Sequence, residues 1–162
     1  MGVSIAAVSK WETGNSIPDI IMLCSLADFF KISTDELLGR DRLKKKAVIA
    51  DDVEFIRDTL RKILEENQYE IIGEADDGME LMRILSQASA DLVMLDITMP
   101  KMDGISALKN IVNKYPETNV IMCSEIEDKS TIDKAIRLGA SAFVTKPFLP
   151  EAIVTCLKNL PH

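Results

Sequence analysis

The chain has 162 residues, of which 47% are hydrophobic and 28% are charged. This mixture is typical of globular proteins and excludes a wholly disordered, collagen-like or fibrous chain. The net charge of −7 is uneven, because residues 1–46 hold seven Lys/Arg and six Asp/Glu whereas the rest holds twelve and twenty. An acidic body does not suit non-specific nucleic-acid binding, so any DNA contact is expected from the first segment.

The sequence carries no sign of a membrane or secreted protein. Apolar runs stay well short of the ~20 residues that a membrane helix needs, and the N-terminus lacks the pattern of a signal peptide. A cytoplasmic protein without membrane contact is therefore expected. The three cysteines are far apart and form no C-x-x-C pair. They are interpreted as small buried hydrophobic residues, not as a disulfide framework or a zinc site.

Residues 1–40 have the pattern of a small all-α unit. Capping, turn and apolar signals predict three short helices, at Ser4–Glu12, Pro18–Phe30 and Ser33–Gly39. A unit of this size is small for an independent core. The basic run at 41–46 is interpreted as a solvated linker.

From Ala47 onward, short apolar runs alternate with helical periodicity. The runs that are short enough for buried strands are Ala47–Ala50, Ile71–Ile72, Leu92–Leu95, Val120–Met122 and Ala142–Val144. Apolar residues recur at helical spacing after each of them. Five such βα units predict an α/β domain over residues 47–160, with a five-stranded parallel sheet and helices on both faces.

Polar side chains follow four of the predicted strands. Asp51 and Asp52 follow the first, Asp96 the third, Ser124 the fourth and Lys146 the fifth. In open α/β sheets, ligands bind outside the carboxyl ends of the strands. Crowded carboxylates repel each other unless a cation lies between them, and oxygen ligands with open water positions suit Mg²⁺.

These residues together predict a phosphoryl-acceptor site. A carboxylate beside Mg²⁺ is a nucleophile for a phosphoryl group, and Lys146 and Ser124 supply the donors that the transferred group needs. Taken singly, each residue has an ordinary structural interpretation: helix capping for Asp51 or Asp52, a turn for Asp96, and surface positions for the others. Their occurrence at four strand ends favours the functional interpretation.

The segment Leu95–Gly104, with the sequence LDITMPKMDG, resembles the acceptor loop of the receiver domain of two-component response regulators. The resemblance covers about residues 45–160 and implies the flavodoxin-like (CheY-like) fold with strand order 2-1-3-4-5. It implies a sensor histidine kinase as partner, Mg²⁺ as cofactor and phosphorylation of Asp96. The implied roles of the other residues are metal ligation by Asp51, Asp52, Asp96 and the Thr98 carbonyl, switching by Ser124 and Phe143, and phosphoryl pairing by Lys146, whose bond to Pro147 is cis.

Two positions depart from the family pattern. Glu125 follows Ser124 where the family usually has a small residue, and its long anionic side chain is expected to slow phosphorylation. Ile126 carries no polar group to position a hydrolytic water, so a long-lived phosphoryl group is expected. The chain is accordingly interpreted as a phosphoacceptor with slow self-dephosphorylation at most. An aspartate-based phosphohydrolase is a further hypothesis, but Thr98 occupies the place of the second aspartate that such enzymes typically carry.

The first segment resembles the Cro/repressor-type (XRE) helix-turn-helix family. The resemblance rests on VSKWETG at residues 8–14 and on STDELLG at 33–39. It begins where the recognition helix of the family starts, and it implies DNA contacts from Ser4, Ser9 and Lys10. Ile5 and Ala6 stand where the family places polar side chains and cannot hydrogen-bond a base edge.

Three explanations of the first segment stay open. In the first, the start codon is misplaced and a full domain is encoded upstream. In the second, the segment is a remnant that packs on the receiver or on another copy of the chain. In the third, it binds DNA as a dimer; the first two are favoured. Ile5, Val8, Trp11 and Leu26 are expected to form an exposed apolar patch that favours a homodimer. The leading hypothesis is a phosphorylation-gated transcriptional regulator. The alternative is a stand-alone receiver that acts by protein–protein contact without binding DNA.

Overall fold

The computed structural model describes residues 9–11, 13–14, 17, 19–31, 34, 44–125 and 128–161. The chain divides into two compact units, Met1–Leu43 and Lys44–His162. Within the described ranges, the longest helix is too short and too polar to cross a membrane.

The first unit contains helix α1 (Ile20–Phe30). The helix begins two residues later than predicted, because the Asp19 carboxylate accepts a hydrogen bond from the Met22 amide at 2.8 Å and caps it. It ends at Lys31, which adopts a left-handed conformation with φ of 55°. Residues 9–11 are helical, as predicted. Ser4 lies outside the described residues. The predicted third helix also lies outside them, except for residue 34.

Helix α1 is apolar apart from Ser25 and Asp28, and only Ala27 is buried. Among the described residues of this unit, the large apolar side chains that are exposed are Ile17, Ile20, Ile21, Phe29 and Phe30. Of the patch predicted at Ile5, Val8, Trp11 and Leu26, only Trp11 and Leu26 are among the described residues, and both are partly buried. Cys24 is exposed on the same helix, which corrects the expectation that all three cysteines are buried.

Five strands and five helices alternate in the second unit. Their bounds are β1 Lys45–Ala50, α2 Glu54–Glu66, β2 Tyr69–Ala75, α3 Gly78–Gln87, β3 Leu92–Asp96, α4 Gly104–Lys114, β4 Asn119–Ser124, α5 Lys129–Arg137, β5 Ala142–Thr145 and α6 Pro150–Lys158. All strand pairs are parallel, in the order β2-β1-β3-β4-β5. The predicted fold class is confirmed.

Strand β1 begins at Lys45, two residues before the predicted domain boundary. Lys45 and Lys46 pair with Tyr69 and Glu70 of β2, and the Lys46 amide donates to the Asp91 carboxylate at 2.6 Å. The last two residues of the segment interpreted as a linker therefore belong to the sheet. Their charged side chains remain exposed while their backbone is paired, which composition alone does not reveal.

The core has two layers, one on each face of the sheet. Val48 and Ala50 of β1 belong to the layer under α3 and α4, whereas Ala47 and Ile49 belong to the layer under α2 and α6. Strands β1 and β3 are buried on both faces, as expected for central parallel strands between helices. This arrangement brings the carboxyl ends of β1, β3, β4 and β5 to one edge, where the candidate site lies.

Candidate functional site

Three carboxylates meet at the carboxyl ends of β1 and β3. Asp51 and Asp96 are 0% and 5% exposed, while Asp52 faces solvent. One carboxylate oxygen from each of the three residues lies within 4.8 Å of the others. The structure thus brings together the three acidic residues that the sequence singled out.

Lys146 lies between the two buried carboxylates. Its ammonium nitrogen is 2.5 Å from Asp51 Oδ2 and 2.9 Å from Asp96 Oδ1, and its side chain is 8% exposed. The backbone of Lys146 is held at the end of β5, because its amide donates to the Ser124 carbonyl at 2.7 Å. The following bond to Pro147 is cis, as expected.

Burial and pairing act on these groups in opposite directions. Burial by itself disfavours the ammonium form of Lys146, but the hydrogen bonds to Asp51 and Asp96 outweigh it and raise the Lys146 pKa. Burial raises the pKa of Asp96, and the hydrogen bond from Lys146 offsets only part of this rise. Lys146 is therefore a fixed positive charge at neutral pH.

The loop between Asp96 and α4 is held on both sides. The Thr98 amide donates to Asp96 Oδ2 at 3.0 Å, and the Gly104 amide donates to the Ile97 carbonyl at 2.9 Å. An added Cβ on Gly104 would lie 1.9 Å from the Asp96 carbonyl oxygen. Only glycine allows α4 to begin so close to Asp96.

An ion pair ties the same loop to helix α3. The buried Asp77 carboxylate caps α3 by accepting from the Met79 and Glu80 amides, and its second oxygen lies 2.5 Å from Lys101 Nζ. The hydrogen bond to Lys101 is the main cause of the lowered pKa of Asp77. Lys101 lies in the loop with a φ of 58°. The loop is thus anchored at a side chain as well as at its two ends.

A cavity of about 290 Å³ opens above the acid cluster. Its walls are formed by Asp52, Val53, Asp96, Thr98, Glu125 and Lys146. Glu125 is exposed at this cavity, so the residue identified as a departure from the family pattern forms part of the wall of the candidate site. Ile126, the second departure, lies outside the described residues.

Ser124 and Phe143 lie on neighbouring strands behind the cavity. Ser124 is 1% exposed at the end of β4, and its carbonyl holds Lys146 as described above. Phe143 is half-buried on β5, where it packs against the core layer under α3 and α4. Neither side chain forms a wall of the cavity. In the first unit, Ser9 and Lys10 are exposed, and Ser4 lies outside the described residues.

The acid cluster fits a small hard cation. All of its ligand atoms are carboxylate oxygens, which suit Mg²⁺ better than a softer metal. The Asp52 carboxylate accepts no hydrogen bond from any residue in the described ranges, and it borders the open cavity. Its lone pairs are therefore available to a cation, with Asp96 and Asp51 alongside.

Sequence reasoning missed a second layer of charged residues beneath the cluster. Arg57 Nη1 donates to the Asp51 carbonyl at 2.7 Å, and Arg57 Nε lies 3.4 Å from Glu74 Oε2. No local motif signals this contact, because Arg57 and Glu74 are neighbours only once β1 and β2 pair. Asp77 before Gly78 does have the pattern of a helix cap, but its pairing with Lys101 is equally a product of the fold.

The fold and the site are those of a receiver. Residues 47–158 match the family model described as "Response regulator receiver domain", and residues 1–37 match the model described as "Helix-turn-helix". The chain therefore belongs to the response regulator receiver family, with a helix-turn-helix segment before the receiver.

Curated relatives and solved structures agree with this assignment. Chemotaxis protein CheY of Listeria monocytogenes is 37% identical over 114 residues, which are 70% of this chain and 96% of that protein. Protein CcdB of Bacillus subtilis is 42% identical over 115 residues, or 71% of this chain and 96% of that protein. In the crystal structure of the CheX-CheY-BeF3-Mg complex of Borrelia burgdorferi, a chain that is 32% identical matches with a TM-score of 0.68, covering 70% of this chain and 86% of that one.

The close approach at Gly104 gives a stability prediction. Replacing Gly104 by Ala should lower the free energy of unfolding by about 2 kcal/mol or more, since the new methyl group meets a backbone oxygen that cannot move without displacing the acceptor loop. Gly73→Ala is the matched control, because its Cβ would meet side-chain atoms of Ile84, with Cγ2 at 2.8 Å and Cδ1 at 3.1 Å, and no backbone atom of another segment; we expect a smaller loss of about 1 kcal/mol. Urea unfolding of both variants measures the difference. Equal losses would contradict the prediction.

Proposed function

We propose that Asp96 accepts a phosphoryl group from a sensor histidine kinase, with Mg²⁺ bound at Asp51, Asp52, Asp96 and the Thr98 carbonyl. The observation that carries the proposal is the convergence of three carboxylates and one buried ammonium around a single cavity. The similar CheY of Borrelia burgdorferi, which was crystallised in a complex with BeF3 and Mg, adds support.

The chemistry is an in-line displacement at phosphorus. An oxygen of the Asp96 carboxylate forms the new bond to phosphorus, while the bond to the donor breaks and its electron pair departs with the leaving group. Mg²⁺ supplies charge neutralisation for the phosphoryl oxygens. Lys146 adds a fixed positive charge beside the acceptor, and the Thr98 amide orients Asp96 through its second oxygen.

The protein acts in this proposal as a phosphoacceptor and not as a turnover enzyme. Phosphorylation adds roughly −1.5 to −2 charge and new acceptor oxygens. Ser124 and Phe143 would then shift, which would alter the surface formed by α5, β4 and α6. The Ser124 carbonyl at the end of β4 accepts a hydrogen bond from the Lys146 amide after β5, so a movement of Ser124 would be coupled to the acceptor site.

Intact-mass measurement tests the acceptor chemistry. The wild-type protein, incubated with acetyl phosphate and Mg²⁺, should gain the mass of one phosphoryl group. Asp96→Asn should gain none, because an amide does not displace the leaving group from phosphorus. A gain of equal size in Asp96→Asn, or none in the wild type while another receiver in the same buffer is modified, would refute the proposal.

Glu125 should slow this reaction through its charge. Glu125→Ala is expected to raise the rate with acetyl phosphate about two- to fivefold at low salt, and the gain should shrink as salt screens the repulsion. Glu125→Gln keeps the size but not the charge, so an equal gain assigns the effect to electrostatics and a smaller one to obstruction. Glu117→Ala, an exposed acidic position at the opposite end of the sheet, is the control. An unchanged rate in Glu125→Ala would contradict the prediction.

We further propose that the output is control of transcription. The helix-turn-helix match supports DNA binding. Transcriptional regulatory protein DegU of Brevibacillus brevis is 28% identical over 116 residues, or 71% of this chain and 49% of that protein. The alternative, a receiver that signals by protein contact alone, is favoured by the chemotaxis proteins, of which this chain covers nearly the full length.

A salt-dependent gel shift with genomic fragments separates the two outputs. Under the transcriptional proposal, the protein shifts DNA, phosphorylation changes the affinity, and Lys10→Ala lowers the dependence of log affinity on log salt by about one unit because one phosphate contact is lost. Ser9→Ala, which removes no charge, is the control. Absence of any shift at low salt, with or without phosphorylation, would favour the protein-contact alternative. In that case, the molecular mass of the protein in solution would show whether the first unit forms a homodimer.

A further inference from the structure

Arg57 of helix α2 makes a contact that a helix surface residue does not ordinarily make. Its guanidinium turns back over the start of the helix, and Nη1 donates to the Asp51 carbonyl at 2.7 Å. The side chain is only 17% exposed, and its other side faces Glu74 of β2 at 3.4 Å. The guanidinium of Arg57 thus links the Asp51 carbonyl at the acid cluster to the Glu74 carboxylate on β2.

The carbonyl that Arg57 holds belongs to the peptide joining Asp51 to Asp52. The Asp51 amide is fixed by the Ala75 carbonyl at 3.1 Å, and Asp51 Oδ1 accepts from the Val53 amide at 3.0 Å. Helix α2 has no side-chain cap at Val53. Arg57 therefore does not cap the helix, whose first amides need acceptors, but fixes the Asp51 carbonyl just before the helix begins.

Asp52 depends on this backbone more than its two acidic neighbours do. Asp51 and Asp96 are each held by Lys146 and by a backbone amide. The Asp52 carboxylate has no hydrogen-bond partner among the residues that the structure describes, and it is exposed. Its position beside the cluster is consequently set by the orientation of the Asp51–Asp52 peptide.

We propose that Arg57 is a positioning residue for the metal-binding carboxylate of Asp52, with Glu74 as the anchor that orients its guanidinium. This inference rests on the proposed function, since it concerns the same Mg²⁺ site. Groups that hold a metal ligand in place typically change metal affinity about 10- to 100-fold when they are removed. Arg57 would hold Asp52 in place through the backbone, because its own side chain does not line the cavity.

Arg61 provides a matched control on the same helix face. It also pairs with Glu74, but none of the hydrogen bonds of the described residues joins it to the Asp51–Asp52 peptide. If the arginines serve only to fasten α2 to β2, their removal should have similar consequences. If Arg57 positions Asp52, only its removal should affect metal binding.

The test measures Mg²⁺ affinity by isothermal titration calorimetry on the full chain, for the wild type, Arg57→Met and Arg61→Met. We expect the Kd for Mg²⁺ to rise about tenfold in Arg57→Met and less than about twofold in Arg61→Met, whose pair is partly exposed. Phosphorylation by acetyl phosphate should then need more Mg²⁺ for half-maximal rate in Arg57→Met, while the rate at saturating Mg²⁺ stays close to that of the wild type.

Arg57→Lys keeps the test decisive if the Met variant does not fold. Lysine retains the charge facing Glu74 but lacks the fork that serves both partners, so stability should recover while the Kd for Mg²⁺ stays raised. An unchanged Kd in a folded Arg57 variant, or an equal rise in Arg61→Met, overturns the inference while leaving the proposed function intact. A wild-type protein that binds no Mg²⁺ and takes no phosphoryl group overturns both.

Discussion

Two buried carboxylates at one edge of a parallel sheet require a compensating charge, and Lys146 provides it. An uncompensated ionised carboxylate is costly to bury. Lys146 lies between Asp51 and Asp96, 95 and 50 residues away along the chain. The three residues meet only when β1, β3 and β5 stand in one sheet. Assembly of the sheet and assembly of the site are therefore the same event.

The acceptor loop is constrained because the site needs Asp96 at a fixed position. Gly104 allows helix α4 to begin directly against the Asp96 carbonyl, and Lys101 fastens the middle of the loop to the cap of α3. The loop is therefore tied to three elements of secondary structure. Sites built in this way are held more accurately than sites on free loops, which matters for in-line displacement.

Most of the fold and the residues of the acid cluster could be predicted from the sequence, for a clear physical reason. Parallel strands buried on both faces are continuous apolar runs, so their ends are visible as the first polar residues, and Asp51 and Asp96 stand at such ends. The start of β1 was missed because Lys45 and Lys46 pair through their backbone while their side chains remain in water.

Contacts that depend on which strands become neighbours were not predictable in the same way. Arg57 with Glu74, and Asp77 with Lys101, join residues from different βα units and leave no periodic signal. The exposure of Phe29 and Phe30 in the first unit was not predicted, for a related reason. Trp11 and Leu26 are partly buried, whereas Phe29 and Phe30 stack edge to face at 5.2 Å and remain exposed. Hydrophobicity identifies residues that favour burial, but not the ones that find a partner.

The charges of the site divide into two parts with different consequences. Lys146 offsets only one of the two negative charges of the buried pair, Asp51 and Asp96, and the carboxylates of Asp52 and Glu125 add further negative charge at the cavity. An incoming phosphoryl donor, itself an anion, would meet this repulsion before it came near Lys146. Under the proposed function, a cation held by Asp52 would offset this repulsion and would compete with Lys146 for the Asp51 and Asp96 carboxylates. The ammonium would then be available to the phosphoryl oxygens, so the position of Asp52 would affect both the approach of the donor and the availability of the lysine.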